Sequence, residues 1–446
     1  MTNDMTRGNP VRLILAFMIP TYLGNIFQQF YNLVDSVIAG RYIGVHALAA
    51  IGSTTSLIFL VTGWMQGITS GFAIMVAQCF GAKDYKQMRH YVAMSVYLCA
   101  AFVVVMTAGL VAFNVPILHL MNTPDEIIHQ TAAYMGIIYA GLCVTAAYNA
   151  FAAVLRALGD GRSPLYFLII SAVINAVLDV LFIVKFHMGV EGCAYATVIA
   201  QGISALLCLI YIIRKFDILK LKKDDFAFDL PMIRRLLSIG VPMGLQFSIT
   251  AIGTIIVQSA INVFGADYIA GYAAAGKLQN MVNTIFIAFG ATVATYVGQN
   301  RGAGRMDRVR QGVKDTQIMI LVAAAVFFLI IHFLAGQLTL IFVDSSQTIV
   351  IDAANLYFKT VSWCYPFLGS IFLYRNALQG MGYGLVPMLG GVFELMARGA
   401  VVFLVLHLGG GFGQTCFADP AAWISALIPL IPYYIYTMHK FSLQEK

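Results

Sequence analysis

Oxygen-bearing side chains recur at four-residue intervals in one long apolar stretch, where Ser171, Asn175 and Asp179 share a helical face. A second acid, Asp35, lies in the first apolar stretch, and Thr197 lies in the stretch after Asp179. At a helical rise of about 1.5 Å per residue, the two acids and Thr197 each lie roughly 8 to 12 Å below the predicted outer ends of their helices. These carboxylate, amide and hydroxyl oxygens could bind Na⁺, a hard cation, or the two carboxylates could share a proton.

The second half of the chain carries a third acid at membrane depth, Glu394, and here a base follows one helical turn later. Arg398 stands four residues after Glu394, a spacing that permits an ion pair within one helix. Lys277 and Arg375 add two more bases inside apolar stretches. A charge in hydrocarbon costs at least about 2.5 kcal/mol, so such groups pair or serve transport. Both roles stay open for Glu394 and Arg398.

The composition places these residues in a membrane. Of 446 residues, 60% are apolar and 11% are charged, against about 25% charged in soluble domains, which excludes a water-soluble globule. The first apolar run, 11–39, exceeds the roughly 7 to 15 residues of a signal-peptide core, so we interpret it as a retained span. Seven scattered cysteines form no CxxC pair and eight histidines form no HExxH motif. These patterns support neither a disulfide framework nor a zinc site. No nucleophile-elbow or phosphate-loop motif is present either, so we expect no enzymatic activity and no cofactor other than H⁺ or Na⁺ as a coupling ion.

Twelve stretches are long and apolar enough to be transmembrane helices. The positively charged residues test this count, because cytoplasmic loops are enriched in Lys and Arg. With a cytoplasmic N-terminus, 21 of the 27 Lys and Arg residues fall in cytoplasmic segments. We therefore predict a multi-pass protein of the plasma (inner) membrane with both termini in the cytoplasm. The predicted spans are 13–39, 47–77, 91–113, 127–155, 164–186, 191–213, 236–264, 267–298, 316–335, 354–378, 386–408 and 420–439.

An internal repeat with an offset of about 222 residues divides the chain into halves. VAQCFGAKDYKQMR at 76–89 aligns with VGQNRGAGRMDRVR at 297–310, and Pro20 aligns with Pro242. Six spans per half give both copies the same orientation. The predicted fold is thus an all-α integral membrane protein of twelve helices, in two six-helix lobes related by a pseudo-two-fold axis along the membrane normal. We place the first lobe at 1–213, a cytoplasmic linker at 214–231 and the second lobe at 232–446.

Polar residues at helical spacing line one face of several spans. Interhelical hydrogen bonding would explain a single Ser or Thr, but repeated stripes of Gln, Asn and Asp favour a water-accessible cavity. The longest stripe follows the seventh span at four-residue intervals: Gln246, Thr250, Thr254, Gln258 and Asn262. The residues expected to line the cavity are Gln28, Tyr31, Asn32, Gln201, Gln258, Asn262, Asn283, Glu394 and Arg398.

These features resemble the multidrug and toxic compound extrusion (MATE) transporters, in particular their DinF-like branch. A GQxxGA-type signature follows both the second and the eighth span, at 78–82 and 298–303, although the first copy has Ala77 where the second has Gly298. The resemblance implies an antiporter in which H⁺ or Na⁺ entry drives export of bulky, often cationic or aromatic compounds. It implies that Pro20 is the hinge of the first helix. The implied coupling residues are Asp35, Asn149, Asn175, Asp179 and Thr197.

Two alternatives remain at this stage. A flippase for lipid-linked oligosaccharides would use bases such as Lys277, Arg375 and Arg398 for phosphate contacts, whereas an ion channel needs neither paired lobes nor a hinge.

Other MATE branches carry a Glu on the seventh span; Gln258 and Asn262 near that place make a second acidic site doubtful. We expect a lipid bilayer and small organic substrates as partners, no nucleic acid, and function as a monomer.

Overall fold

The computed structural model describes residues 4–121 and 123–444, and it describes their side chains except those of 31–33, 35–36, 45–48 and 444. This part of the chain forms sixteen α-helices and contains no β-strand. The helices are α1 (Pro10–Tyr42), α2 (Val45–Gly81), α3 (Tyr85–Ala112), α4 (Asn114–Leu120), α5 (Asp125–Ala140), α6 (Leu142–Ala157), α7 (Arg162–Val180), α8 (Gly189–Lys215), α9 (Leu230–Ile261), α10 (Ala266–Gly302), α11 (Met306–Thr339), α12 (Thr348–Val361), α13 (Tyr365–Gly380), α14 (Leu385–His407), α15 (Phe412–Thr415) and α16 (Ala418–Gln444).

The twelve-span prediction fits this layout, but two predicted spans are each made of two helices. The span predicted at 127–155 is α5 followed by α6, with a bend of 47° at Gly141. A Cβ atom at Gly141 would clash with Cγ2 of Val198, so α8 passes too close for a larger residue at the bend. The span predicted at 354–378 is α12 followed by α13, interrupted by a 3-10 turn at Ser362–Cys364. Pro366 follows this turn and lacks the amide hydrogen that would continue α12.

The chain divides into two compact units whose boundaries fall inside α1 and α9. The first unit contains Met1–Asp4 and Leu23–Gly244, and the second contains Met5–Tyr22 and Leu245–Lys446. The predicted division at 213 and 231 differs from these boundaries, because part of each long helix groups with the other half of the chain. Each boundary lies just after one of the prolines that the internal repeat aligns, Pro20 and Pro242.

Close helix contact explains why the first part of α9 belongs to the first unit. A Cβ atom at Gly67 of α2 would lie 2.6 Å from the Met243 carbonyl oxygen, and one at Gly71 would lie 2.6 Å from Cα of Gly240. Two glycines one turn apart on α2 therefore face two glycines one turn apart on α9, since Gly244 adjoins Gly67. Small residues at this spacing let membrane helices approach until their backbones touch.

The segment 214–231, predicted as a linker, packs against α3 within the first unit. Asp225 is buried and accepts a hydrogen bond at 3.1 Å from Nε of Arg89, forming an ion pair. The carbonyl oxygen of Ala227 lies 2.8 Å from Nε2 of His90, and the hydroxyl of Tyr97 donates to the carbonyl of Phe226. Fixed contacts thus hold this segment along the first turns of α3.

The second signature copy anchors the N-terminal segment within the second unit. Gln299 accepts a hydrogen bond from the Met5 amide at 2.9 Å, and the Asn300 side-chain amide donates to the Met5 carbonyl at 3.1 Å. Arg308 donates to the same carbonyl at 3.2 Å and to Asn300 Oδ1 at 3.0 Å. Met5, Gln299 and Asn300 are fully buried. Sequence reasoning missed this role, because nothing local links residue 5 to residue 300.

Candidate functional site

Two of the predicted coupling residues lie on one buried face of α7. Asp179 has 0% exposed surface and Asn175 has 1%, one turn earlier on the same helix. Ser171, a further turn back, is also buried and donates from Oγ to the Ala200 carbonyl of α8 at 2.8 Å. The stripe predicted from four-residue spacing therefore faces protein rather than lipid.

Helix α8 packs against α7 and brings Thr197 to nearly the level of Asn175. Ser204 of α8 donates to the Phe167 carbonyl of α7 at 3.2 Å, and Ser171 contacts Ala200, so the helices run antiparallel in a fixed register. Each step along α7 is matched by an equal step back along α8, which places Thr197 within one residue of the level of Asn175. Thr197 is half-buried. Amide and hydroxyl oxygens thus lie about one turn from the Asp179 carboxylate.

The backbone changes form just after Asp179. One turn of π-helix, Leu181–Lys185, continues α7 before α8 begins at Gly189. Single π-helical turns are rare and frequently occur at functional sites, because the wider turn redirects the side chains around it.

Other predicted residues of the first unit have separate positions. Asp35, Tyr31 and Asn32 belong to α1, but their side chains lie outside the described residues. Gln28 of α1 and Asn149 of α6 are half-buried. Gln201 of α8 accepts a hydrogen bond from the Thr145 hydroxyl of α6. Their roles in coupling or in the cavity stay predictions.

The buried acid of the second unit, Glu394, belongs to a network larger than the pair with Arg398. Glu394 Oε1 accepts a charged hydrogen bond from Nη2 of Arg375 on α13, whereas Arg398 Nη1 lies 3.9 Å from Glu394 Oε2. Arg398 instead donates from Nε to Asp419 of α16 at 3.2 Å, and the Tyr357 hydroxyl of α12 donates to the other Asp419 oxygen at 3.0 Å. The expectation of a self-contained pair within one helix was therefore incomplete.

The charges of this network balance. Arg375, Glu394 and Arg398 are each 5 to 7% exposed, and two acids offset two bases. Asp419 is peripheral by its position in the sequence, outside the apolar core of its span, yet its side chain is only 13% exposed. Buried charges of this kind are stable only when each has a partner.

The polar stripe of α9 serves two different purposes along its length. Gln246 accepts a hydrogen bond from Gln379 of α13 at 3.0 Å, and the hydroxyls of Thr250 and Thr254 donate to carbonyls of their own helix. Gln258 donates to the exposed Asn262 at 2.9 Å. The first part of the stripe therefore makes interhelical and local bonds, and in its last turn Gln258 bonds the exposed Asn262.

Asn283 takes part in a hydrogen-bonded chain on α10. It is half-buried and accepts from Gln279 at 3.3 Å, and Gln279 accepts from the Tyr365 hydroxyl at 3.1 Å. Among the described residues, no group of three or more His, Cys, Asp or Glu side chains could hold a metal ion. On α7 and α8 the available oxygens are a carboxylate, an amide and a hydroxyl, which suit Na⁺, and the carboxylate alone can take up a proton.

Long apolar helices that carry buried acids, amides and paired charges are typical of polytopic membrane transporters. The profile of the MatE family matches residues 20–181 and 242–402, and the chain belongs to that family. The two matched segments begin at Pro20 and Pro242, the residues that the internal repeat aligns.

Curated relatives and a solved structure agree with this assignment. The chain is 28% identical to the Bacillus subtilis protein named Probable multidrug resistance protein YpnP, over 91% of this chain and 88% of the relative. It is 27% identical to Probable multidrug resistance protein YoeA of the same organism, over 99% and 96%. An outward-facing MATE family multidrug resistance transporter of the MOP superfamily has the same fold, with a TM-score of 0.90 and 18% identity over 99% and 98% of the two chains.

Proposed function

We propose that this protein is an antiporter that exports bulky organic compounds, cationic or aromatic, in exchange for H⁺ or Na⁺ by alternating access. The observation that carries the proposal is the burial of Asn175 and Asp179 on one face of α7, with Thr197 of α8 within one residue of the level of Asn175. Burying an ionised carboxylate is costly, and a bound proton or Na⁺ offsets that cost. We assign the protein to the DinF-like branch on the same residues.

Coupling requires that the ion and the exported compound bind differently to the two access states. In our proposal, occupancy of Asp179 and Asp35 changes the hydrogen bonding of α7 and α8 and repacks α1 about Pro20. The proline removes a backbone hydrogen bond from α1, which makes bending there less costly. The boundary between the compact units two residues later supports Pro20 as the hinge.

In our proposal the protein acts as a monomer in the plasma membrane, with both termini in the cytoplasm. It has small molecules rather than nucleic acids as partners. A flippase that binds phosphates through Arg375 and Arg398 is less well supported, because ion pairs with Glu394 and Asp419 neutralise both guanidinium charges. No observation on the described residues favours an ion channel over a carrier.

The test is efflux of a fluorescent organic cation from proteoliposomes with pH and Na⁺ gradients imposed separately. One of the two gradients is expected to accelerate efflux by wild type, and we expect Asp179→Asn to abolish that acceleration. Glu191→Gln, which changes an exposed acid at the start of α8, serves as the matched control and retains it. Equal gradient-driven efflux by wild type and Asp179→Asn, with equal reconstitution, would refute the proposed coupling site.

A further inference from the structure

A pocket of about 330 Å³ lies within the second unit, between α10, the segment before α12 and the start of α12. Its walls include Ala270 and Ala273 of α10, and its polar groups are Lys277, Asp344 and Gln347. This volume is at the lower end of the range for small-molecule sites, so the pocket fits a head-group-sized ligand rather than a bulky drug. None of the proposed coupling residues lines it.

Lys277 supplies a positive charge that forms no ion pair with any acid of the described residues. Its side chain is exposed, and no carboxylate of the described residues lies within 4.0 Å of it. Its ammonium nitrogen instead lies 5.1 Å from the centre of the Phe342 ring, a cation–π contact that positions the charge while leaving its hydrogen-bond donors available.

Asp344 supplies a negative charge to the same pocket. Its Oδ1 accepts a hydrogen bond from the Ser346 amide at 2.9 Å, and this bond lowers the pKa of the carboxyl group, so it is ionised at neutral pH. Although Asp344 and Lys277 line one pocket, they form no ion pair with each other. Lys277 contacts Phe342 and Asp344 accepts from Ser346, so each charge is positioned by its own neighbour rather than by the other charge.

We propose that this pocket binds a small zwitterion, with its phosphate or carboxylate at Lys277 and its ammonium group at Asp344. Charge-assisted hydrogen bonds at both ends would orient the ligand, and the alanines of α10 would contact its methylene groups. Two sources share this chemistry: a free compound such as O-phosphoethanolamine, and the head group of a phosphatidylethanolamine lipid. The proposal does not depend on the coupling mechanism.

The first arm of the test measures O-phosphoethanolamine binding to the full-length protein in detergent without added lipid, by isothermal titration calorimetry. The second arm measures retention of phosphatidylethanolamine and of phosphatidylglycerol by native mass spectrometry. Lys277→Gln and Asp344→Asn each remove one charge from the pocket lining. Lys359→Gln on α12, exposed and outside the pocket lining, is the matched control.

Either charge removal is expected to weaken binding at least about tenfold, whereas Lys359→Gln leaves binding unchanged. Binding of O-phosphoethanolamine supports a free ligand, and selective retention of phosphatidylethanolamine alone supports the lipid source. Equal binding by wild type and both pocket variants, or equal binding of inorganic phosphate and O-phosphoethanolamine, would overturn the proposal. If Lys277→Gln does not fold, Asp344→Asn decides the outcome alone.

Discussion

Arg375 of α13 is the hydrogen-bonded partner of Glu394 on α14, although Arg398 lies one turn from Glu394 on the same helix. Arg398 instead bonds Asp419 of α16, and Tyr357 of α12 completes the contacts of that acid. One chain of charges therefore connects four helices of the second unit. We infer that the network fixes their packing, because breaking any link leaves a buried charge without its counter-charge.

Glu394→Gln is expected to destabilise the protein by about 3 to 5 kcal/mol, because it leaves the Arg375 guanidinium buried beside a neutral amide. The measurement is the thermal unfolding midpoint of the purified protein in detergent. Replacing both partners, as Glu394→Leu with Arg375→Met, should recover much of the loss, since fewer buried charges then lack a partner.

Glu191→Gln is the control for removal of an acid as such, because Glu191 is exposed. A Glu394→Gln variant with unchanged unfolding midpoint and altered affinity for the exported compound would contradict the structural role. It would instead place Glu394 in the transport pathway.

Asn300→Ala should lower stability by about 1 to 3 kcal/mol, because it removes three hydrogen bonds of a buried side chain. The lost bonds join Asn300 to the carbonyls of Met5 and Tyr296 and to Arg308. We also expect faster proteolysis near Met5, measured by limited digestion and mass spectrometry. Asn280→Ala, an exposed asparagine on the same helix, is the control. Unchanged digestion near Met5 in Asn300→Ala would show that the signature does not hold this segment.

Hydropathy and charge predicted the helical membrane fold well, because the period and length of apolar stretches directly reflect the bilayer. The same reasoning located Asn175 and Asp179 on one helical face, since their spacing is local. It could not find the contact between Asn300 and Met5 or that between Arg398 and Asp419. Both join residues of different segments, 295 and 21 positions apart, and such contacts leave no periodic signal along the chain.

The α7 and α8 register illustrates the same limit on a smaller scale. Depth estimates placed Asp179 and Thr197 at similar levels, but only the Ser171 and Ser204 hydrogen bonds define which residues face each other. Likewise, the break at Gly141 follows from the closeness of Val198, which the sequence does not reveal.

Gly71→Ala is expected to destabilise the first unit by about 1 to 3 kcal/mol, through overpacking between α2 and α9. The new methyl carbon would lie 2.6 Å from Cα of Gly240, and a backbone atom cannot move aside as a side chain can. The thermal unfolding midpoint is again the measurement. Gly109→Ala on α3 is the matched control, because a methyl group there would meet no atom of a neighbouring element within 4 Å. Similar midpoints for both variants would rule out the close helix contact.

Thr197→Val distinguishes the two candidate driving ions. Valine has nearly the shape of threonine but no hydroxyl, so it removes one oxygen from the level of Asn175 while preserving the packing of α8. If Na⁺ drives export, losing an oxygen ligand should raise the Na⁺ concentration for half-maximal efflux about tenfold, equivalent to about 1.4 kcal/mol of binding free energy. If H⁺ drives export, the carboxylate itself binds the ion, and the half-maximal proton concentration should change much less.

Thr197→Ser keeps the hydroxyl and is the control, expected to behave as wild type in the same proteoliposome assay. Both variants are measured under separate Na⁺ and pH gradients. A raised half-maximal Na⁺ concentration in Thr197→Val but not in Thr197→Ser identifies Na⁺ as the driving ion, because a general loss of activity lowers maximal efflux without shifting this concentration. A Na⁺-driven efflux whose half-maximal concentration is the same in wild type and Thr197→Val would exclude Thr197 as a ligand. The ion would then be bound by Asp179 with oxygens from residues other than Thr197.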